Sequence, residues 1–145
     1  MQPVPFEPGE PQKEDIVIHF EDGIYGFEDV KDFVLLEKDE SRVIWSLRAA
    51  EGDIPSLVVV DPFVIMPGYR PSLTEAELKS IGSPEKGELC FLAVAVIRRK
   101  LEESAVNLKS PIAINTLTRQ GRQVIMENSD YPVRYRPFGG ARNGR

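Results

Sequence analysis

VNLKSPIAINTLTRQGRQVIMENSDYPV, residues 106–133, decides how the rest of the chain is read. Ile112 and Ile114 alternate with Ala113 and Asn115, the period of two that gives a strand one apolar face. Thr118, Arg119, Gln120 and Gly121 follow, polar and closed by a residue that takes positive φ readily, so a four-residue hairpin loop is expected there. Gln123 and Ile125 then oppose Val124 and Met126 on the returning strand. Asn128, Ser129 and Asp130 break the alternation, and Pro132 bars a central strand beyond it. The stretch predicts a β-hairpin of fixed register.

Immediately upstream, LCFLAVAVI (residues 89–97) is the longest apolar run and does not alternate. Its β-branched Val94, Val96 and Ile97, with Gly87 before it and Arg98, Arg99 and Lys100 after, favour a strand covered on both faces over a buried helix. Shorter strands are expected at residues 16–20, 33–36, 43–48 and 56–61, the last continuous and so also covered on both faces. Residues 24–27 read as a loop carrying exposed aromatics, and residues 64–69 as an apolar segment punctuated by prolines. The single helix signal lies at Thr74, which can cap the turns that follow. Glu77 completes a capping box, Leu73 and Leu78 stand at staple positions, and Gly82 supplies the stop.

Residues 1–14 contain Pro3, Pro5, Pro8, Gly9 and Pro11 and read as irregular, and residues 138–145 as a flexible tail. One β domain is expected between them, over residues 15–137. The fold class is all-β: an antiparallel, partly open β-barrel or two-sheet sandwich with one short helix.

At 145 residues, 41% hydrophobic and 28% charged, the chain has the composition of a soluble globular domain. No run of 18 apolar residues is available to span a bilayer, and no secretory signal opens the sequence. The lone Cys90 cannot form an internal disulfide, which fits a reducing compartment. The net charge of −5 hides an asymmetry. Residues 1–30 hold eight acids against Lys13, whereas residues 98–145 hold ten Lys or Arg against four acids. Such halves either steer toward charged partners or form a solvated surface whose ends attract each other.

Catalysis needs a constellation, and each one fails. His19 and Cys90 stand alone in their types, too few for a zinc site, and Cys90 lies in an apolar run where a thiol is inert. Gly82 and Gly87 have phosphate-loop spacing, but Glu88 and Leu89 occupy the positions that require Lys and Ser or Thr. Glu102 and Glu103 sit in an expected turn, exposed to water and not set up for general-acid work. The expectation is a protein that is not an enzyme and uses no cofactor or metal. What stands out is polarity within good strands: Asn107, Asn115 and Asn128 either bond turns and backbone or join Tyr131 in a partner surface. Phe63, Met66 and Tyr69 are likewise either core or an exposed anchor patch.

Three segments together carry a resemblance: FEDGIYGFEDVKDFVLL (residues 20–36), LVVVDPFVIMPGYRPSL (residues 57–73) and VNLKSPIAINTLTRQGRQVIMENSDYPVR (residues 106–134). In this order and spacing they closely resemble the FliW family of flagellar assembly factors, from about Asp15 to Arg136. The N-L-K-x-P-I-x-I-N-T run and the N-S-D-Y-P ending are its most specific parts. Two departures are visible: Pro8, Gly9, Glu10 and Pro11 occupy the place of a further family strand, and the Gly-Arg tail exceeds the usual end.

The resemblance implies a cytoplasmic β-barrel-like protein without catalytic activity. It implies binding to newly made flagellin and, once flagellin is exported, binding to the translational regulator CsrA. On this reading Asp15, Glu21, Asp22, Glu28 and Asp29 are candidates for the CsrA face, since an acidic surface suits a basic RNA-binding partner. Phe63, Tyr69, Asn107, Asn115 and Tyr131 are candidates for the flagellin face. Two other classes compete. One is direct RNA binding through Arg98, Arg99, Lys100, Arg119, Arg122, Arg134 and Arg136, and the other is hydrolysis using His19.

Overall fold

β1 (Ile16–Phe20), β2 (Asp32–Glu37), β3 (Ile44–Ala49) and β4 (Ser56–Val60) follow one another as antiparallel neighbours. The computed structural model describes residues 15–139 except Asp39 and Asp53; the segment at 1–14 and the tail from 140 onward lie outside the described residues. β5 (Leu89–Val96) pairs antiparallel with β4, with the short β6 (Ala105–Val106) and with β7 (Ile112–Asn115). β8 (Gln120–Gln123) returns along β7 and meets β1 in parallel, His19 opposite Gln120 and Phe20 opposite Gly121.

The β4–β5 pairing closes seven of the eight strands into a barrel, leaving β6 as an appendage on β5. Closure removes the unpaired edges that an open sheet would expose. It also explains the single parallel seam. Strand directions can alternate all the way round a ring only if the strand number is even, so a ring of seven must contain a parallel pair. Here the pair is β1–β8.

Two apolar layers hold the barrel. Ile18, Phe20, Phe33, Leu47, Val59, Leu92, Ile112 and Ile114 fill its interior. Val60, Ala93, Ala95, Val106, Leu108, Val124 and Met126 form a second cluster, which Tyr69, Ile65, Met66, Leu73, Tyr131 and Tyr135 join. β4 and β5 contribute to both layers, which is why their sequences are continuously apolar rather than alternating.

The hairpin exists, but its turn lies earlier than expected. It occupies residues 116–119, and Gln120 and Gly121 are already paired in β8. Arg119, not the glycine, adopts positive φ (61°), and its N–H reaches the Asn115 carbonyl at 2.7 Å. Gly121 has a different reason to be glycine: a Cβ there would lie 2.7 Å from the Phe20 ring. The ladder continues past β8, with Val124 N–H bonded to Pro111 O and Met126 N–H to Lys109 O, each at 3.0 Å.

Among the described residues, two short α-helices are present rather than one. α1 (Pro62–Ile65) was missed because its prolines suggest loop. Asp61 caps it, accepting from Phe63 N–H at 2.9 Å, and Pro62 sits where a missing N–H costs nothing. α2 (Glu75–Ser80) has the expected capping box between Thr74 and Glu77. Gly82 (φ 84°) ends it, with Ser83 N–H bonded to Leu78 O and Gly82 N–H to Lys79 O.

Candidate protein-binding surfaces

The two groups weighed for catalysis lie on different strands, His19 on β1 and Cys90 on β5. His19 points outward from β1 between two carboxylates, Nδ1 2.8 Å from Asp32 and Nε2 3.1 Å from Glu21. The hydrogen bond to Asp32, and then that to Glu21, hold its pKa above the ordinary histidine value. Cys90 packs against the barrel interior, where burial, followed by the nearby Asp61, pushes its thiol pKa up and keeps it protonated. Among the described residues no three His, Cys, Asp or Glu side chains are grouped to hold a metal.

Four of the five acidic candidates gather where β1 turns back toward β2, and Asp15 stands apart from them at the other end of β1. Glu21, Asp22, Glu28 and Asp29 are all exposed, and Asp15 is half-buried just before β1. Asp22 pairs with Arg122 on β8 at 3.0 Å, and Glu28 accepts from Gly26 N–H at 3.1 Å. Sequence reasoning missed two further acids. Asp32 lies opposite His19 in the β1–β2 register, and Glu51 lines a depression of about 400 Å³ with Asp29, Lys31 and Asp32. The acidic loop also presents Tyr25 and Phe27, 52% and 38% exposed.

Three of the five candidates for the other face form one aromatic row. Phe63 stands 6.2 Å from Phe91 and 5.8 Å from Tyr69, and Tyr69 meets Tyr131 edge-on at 4.7 Å. Phe63 and its neighbour Val64 are 44% and 54% exposed, and the Tyr131 hydroxyl accepts from Arg70 N–H at 2.8 Å.

Tyr69 and Asn115 do not belong to a surface. Tyr69 is 3% exposed and its hydroxyl donates to the Leu108 carbonyl; burial, then Tyr131, pushes its phenol pKa well above the usual value. Asn115 is 1% exposed and its side chain bonds backbone groups of the turn and of Ile81, just after α2. Asn107 is half-buried, with Oδ1 accepting from Lys109 and Ser110 N–H, so the turn-bonding reading of these asparagines holds for both.

The basic residues weighed for RNA binding are not one patch. Arg122 is paired with Asp22, Arg119 lies in the β7–β8 turn, and Arg98 and Arg134 share a different depression with Glu103.

A barrel of this kind is found in known proteins. The model of the FliW protein family matches residues 5–137. The chain belongs to the FliW family. The flagellar assembly factor FliW of Thermotoga neapolitana is 38% identical over 123 residues, covering 84% of this chain and 83% of its own. That of Symbiobacterium thermophilum is 33% identical over 128 residues, covering 88% of this chain and 93% of its own. A crystal structure of the flagellar assembly factor FliW matches with a TM-score of 0.81 at 28% identity, over 89% of each chain. The FliW match begins upstream of Asp15, so it takes in part of the segment read as irregular from its prolines. Among the described residues, no helix is long and apolar enough to cross a membrane.

Proposed function

We propose that this chain works as a partner switch in the cytoplasm, binding flagellin and, when flagellin is depleted, binding and antagonising the regulator CsrA. It acts by occupancy rather than by catalysis. One observation carries the reading: the loop between β1 and β2 holds Glu21, Asp22, Glu28 and Asp29 together with the exposed Tyr25 and Phe27. The acids suit a basic RNA-binding regulator, and the aromatics suit an apolar segment of another protein. Two ligands that must use one short loop exclude each other, and mutual exclusion converts flagellin concentration into free CsrA.

For flagellin, Phe63 and Tyr131 remain accessible with Tyr69 packed between them, Asn107 is half-buried, and Asn115 lies apart in the β7–β8 turn. The acids Asp15, Glu21, Asp22, Glu28 and Asp29 remain the regulator face, widened by Asp32 and Glu51. The test is a competition. A preformed complex of the purified chain with CsrA is titrated with monomeric flagellin and followed by size-exclusion chromatography. Release of CsrA in step with flagellin addition is expected; a stable complex containing all three proteins would overturn the switch.

A further inference from the structure

We propose that the mouth of the barrel is an anchor pocket for one bulky apolar side chain of a protein partner. Resting on the reading above, that partner is flagellin. The mouth forms because β1 and β8 stay together at only two paired positions and then part. β8 continues along β7 as Gln123, Val124, Ile125 and Met126, while the chain after Phe20 turns sharply away. Gly23 permits that turn, with φ 69° and the Glu28 backbone 2.5 Å from where a Cβ would stand. The Ile24–Phe27 bridge then folds the loop into a lip.

Between lip and barrel lies a cavity of about 360 Å³ lined by Ile24, Tyr25, Phe27, Leu57, Val94 and Ile125. Ile24 is buried, but Tyr25, Phe27 and Ile125 keep 52%, 38% and 42% of their surface in water. Much of the polarity at its base is already engaged. Gln123 donates to Ser110 O and accepts from Tyr25 N–H, both at 3.0 Å, and Asn107 is bonded within its own turn. The site therefore selects for an apolar occupant, and apolar anchors seated in such pockets dominate interface energetics.

The surroundings give the occupant a direction. On one flank the mouth shares Tyr25 and Ile125 with a depression that carries Glu77 and Glu127. On the other it shares Val94 and Asn107 with a depression that carries Arg98, Arg134 and Glu103. A segment with a bulky apolar residue at its centre, a basic residue on one side and an acidic residue on the other complements this arrangement. The lip is also the acidic loop, so an anchored segment crowds the regulator face.

The experiment is calorimetric titration of the full chain with monomeric flagellin. Ile125→Asp should raise the dissociation constant about tenfold or more, and Phe27→Ser about three- to tenfold. Thermal unfolding accompanies each variant, and Phe27→Ser, on the exposed lip, decides the matter if Ile125→Asp does not fold. Wild-type affinity in the folded mouth variants overturns the pocket, and if Phe63→Ser is then the change that weakens binding, the contact belongs to the aromatic row. If the wild-type chain itself does not bind flagellin, the functional reading falls and the pocket's partner with it.

Discussion

Asn115, at the end of β7, donates its side-chain amide to the carbonyl of Ile81, 2.8 Å away at the end of α2. Its Oδ1 accepts from the N–H groups of Leu117 at 3.0 Å and Thr118 at 3.2 Å. One buried side chain thus closes the β7–β8 turn and moors a helix too short to persist alone.

Asn115→Leu keeps the size but leaves those three backbone groups without their partner. At about 1–3 kcal/mol for a buried polar group left unmatched, a total loss of roughly 2–4 kcal/mol is expected. Urea unfolding with an unchanged slope and a lower midpoint would show it. A variant as stable as the wild type would mean that water replaces all three bonds.

Gly121 and Phe20 lie opposite each other across the parallel seam, and the glycine leaves room for the ring. A Cβ at 121 would stand 2.7 Å from Phe20 and 2.9 Å from the Ile18 side chain, both in the closed interior. Gly121→Ala should destabilise by about 1–3 kcal/mol through overpacking. Adding Phe20→Leu should recover part of that loss, and a double-mutant cycle measures the coupling. Simple additivity would show that the seam yields without contact between the two sites.

His19 gives the fold a small pH dependence of defined sign. Its pKa is raised by Asp32 first and Glu21 second, so the folded state binds the proton more tightly than the unfolded chain. The contribution is fully present below the unfolded value of about 6.5 and is lost as pH rises through the folded pKa. The imidazole is half exposed, so the effect is screened and small. Melting temperature against pH should fall over that window in the wild type and lose this component in His19→Asn. An NMR titration of the single imidazole giving a pKa below 6.5 would contradict the geometry.

Replacing Glu21, Asp22 and Asp29 together by Lys should weaken CsrA binding, chiefly by slowing association, and should reduce its salt dependence. Asp22→Lys also breaks the exposed pair with Arg122, which costs little stability. Surface plasmon resonance at two salt concentrations separates the rates. Flagellin, held by the apolar side chains of the same loop rather than by its acids, should lose less affinity than CsrA, and an unchanged CsrA association rate would place the regulator elsewhere.

Local chemistry was the readable part of this chain. The capping box of α2 spans Thr74 to Glu77, and its glycine stop follows within the next turn, so every participant lies in one short window. The strands announced themselves through β-branched runs, and the continuous ones proved to be those shared by two apolar layers. Even α1 had a local signal, Asp61 before Pro62, outweighed by the reading of proline as a breaker. For Phe63 both core and surface stay open on sequence, and nothing in its neighbourhood reveals Phe91 as the ring beneath it.

The sequence by itself determined most of the strands, the capped helix α2 and the all-β class, because propensity, capping and periodicity act over a few residues. Only the tertiary structure decided that β1 meets β8 in parallel and that Tyr69 and Asn115 face inward. Tyr69 finds Leu108 39 positions away, and Asn115 finds Ile81 34 positions away. A polar residue in a strand can bond backbone or greet a partner, and its own stretch of chain does not distinguish the two. The closing of the ring does, because it fixes which distant carbonyl lies within reach and which faces lose their water.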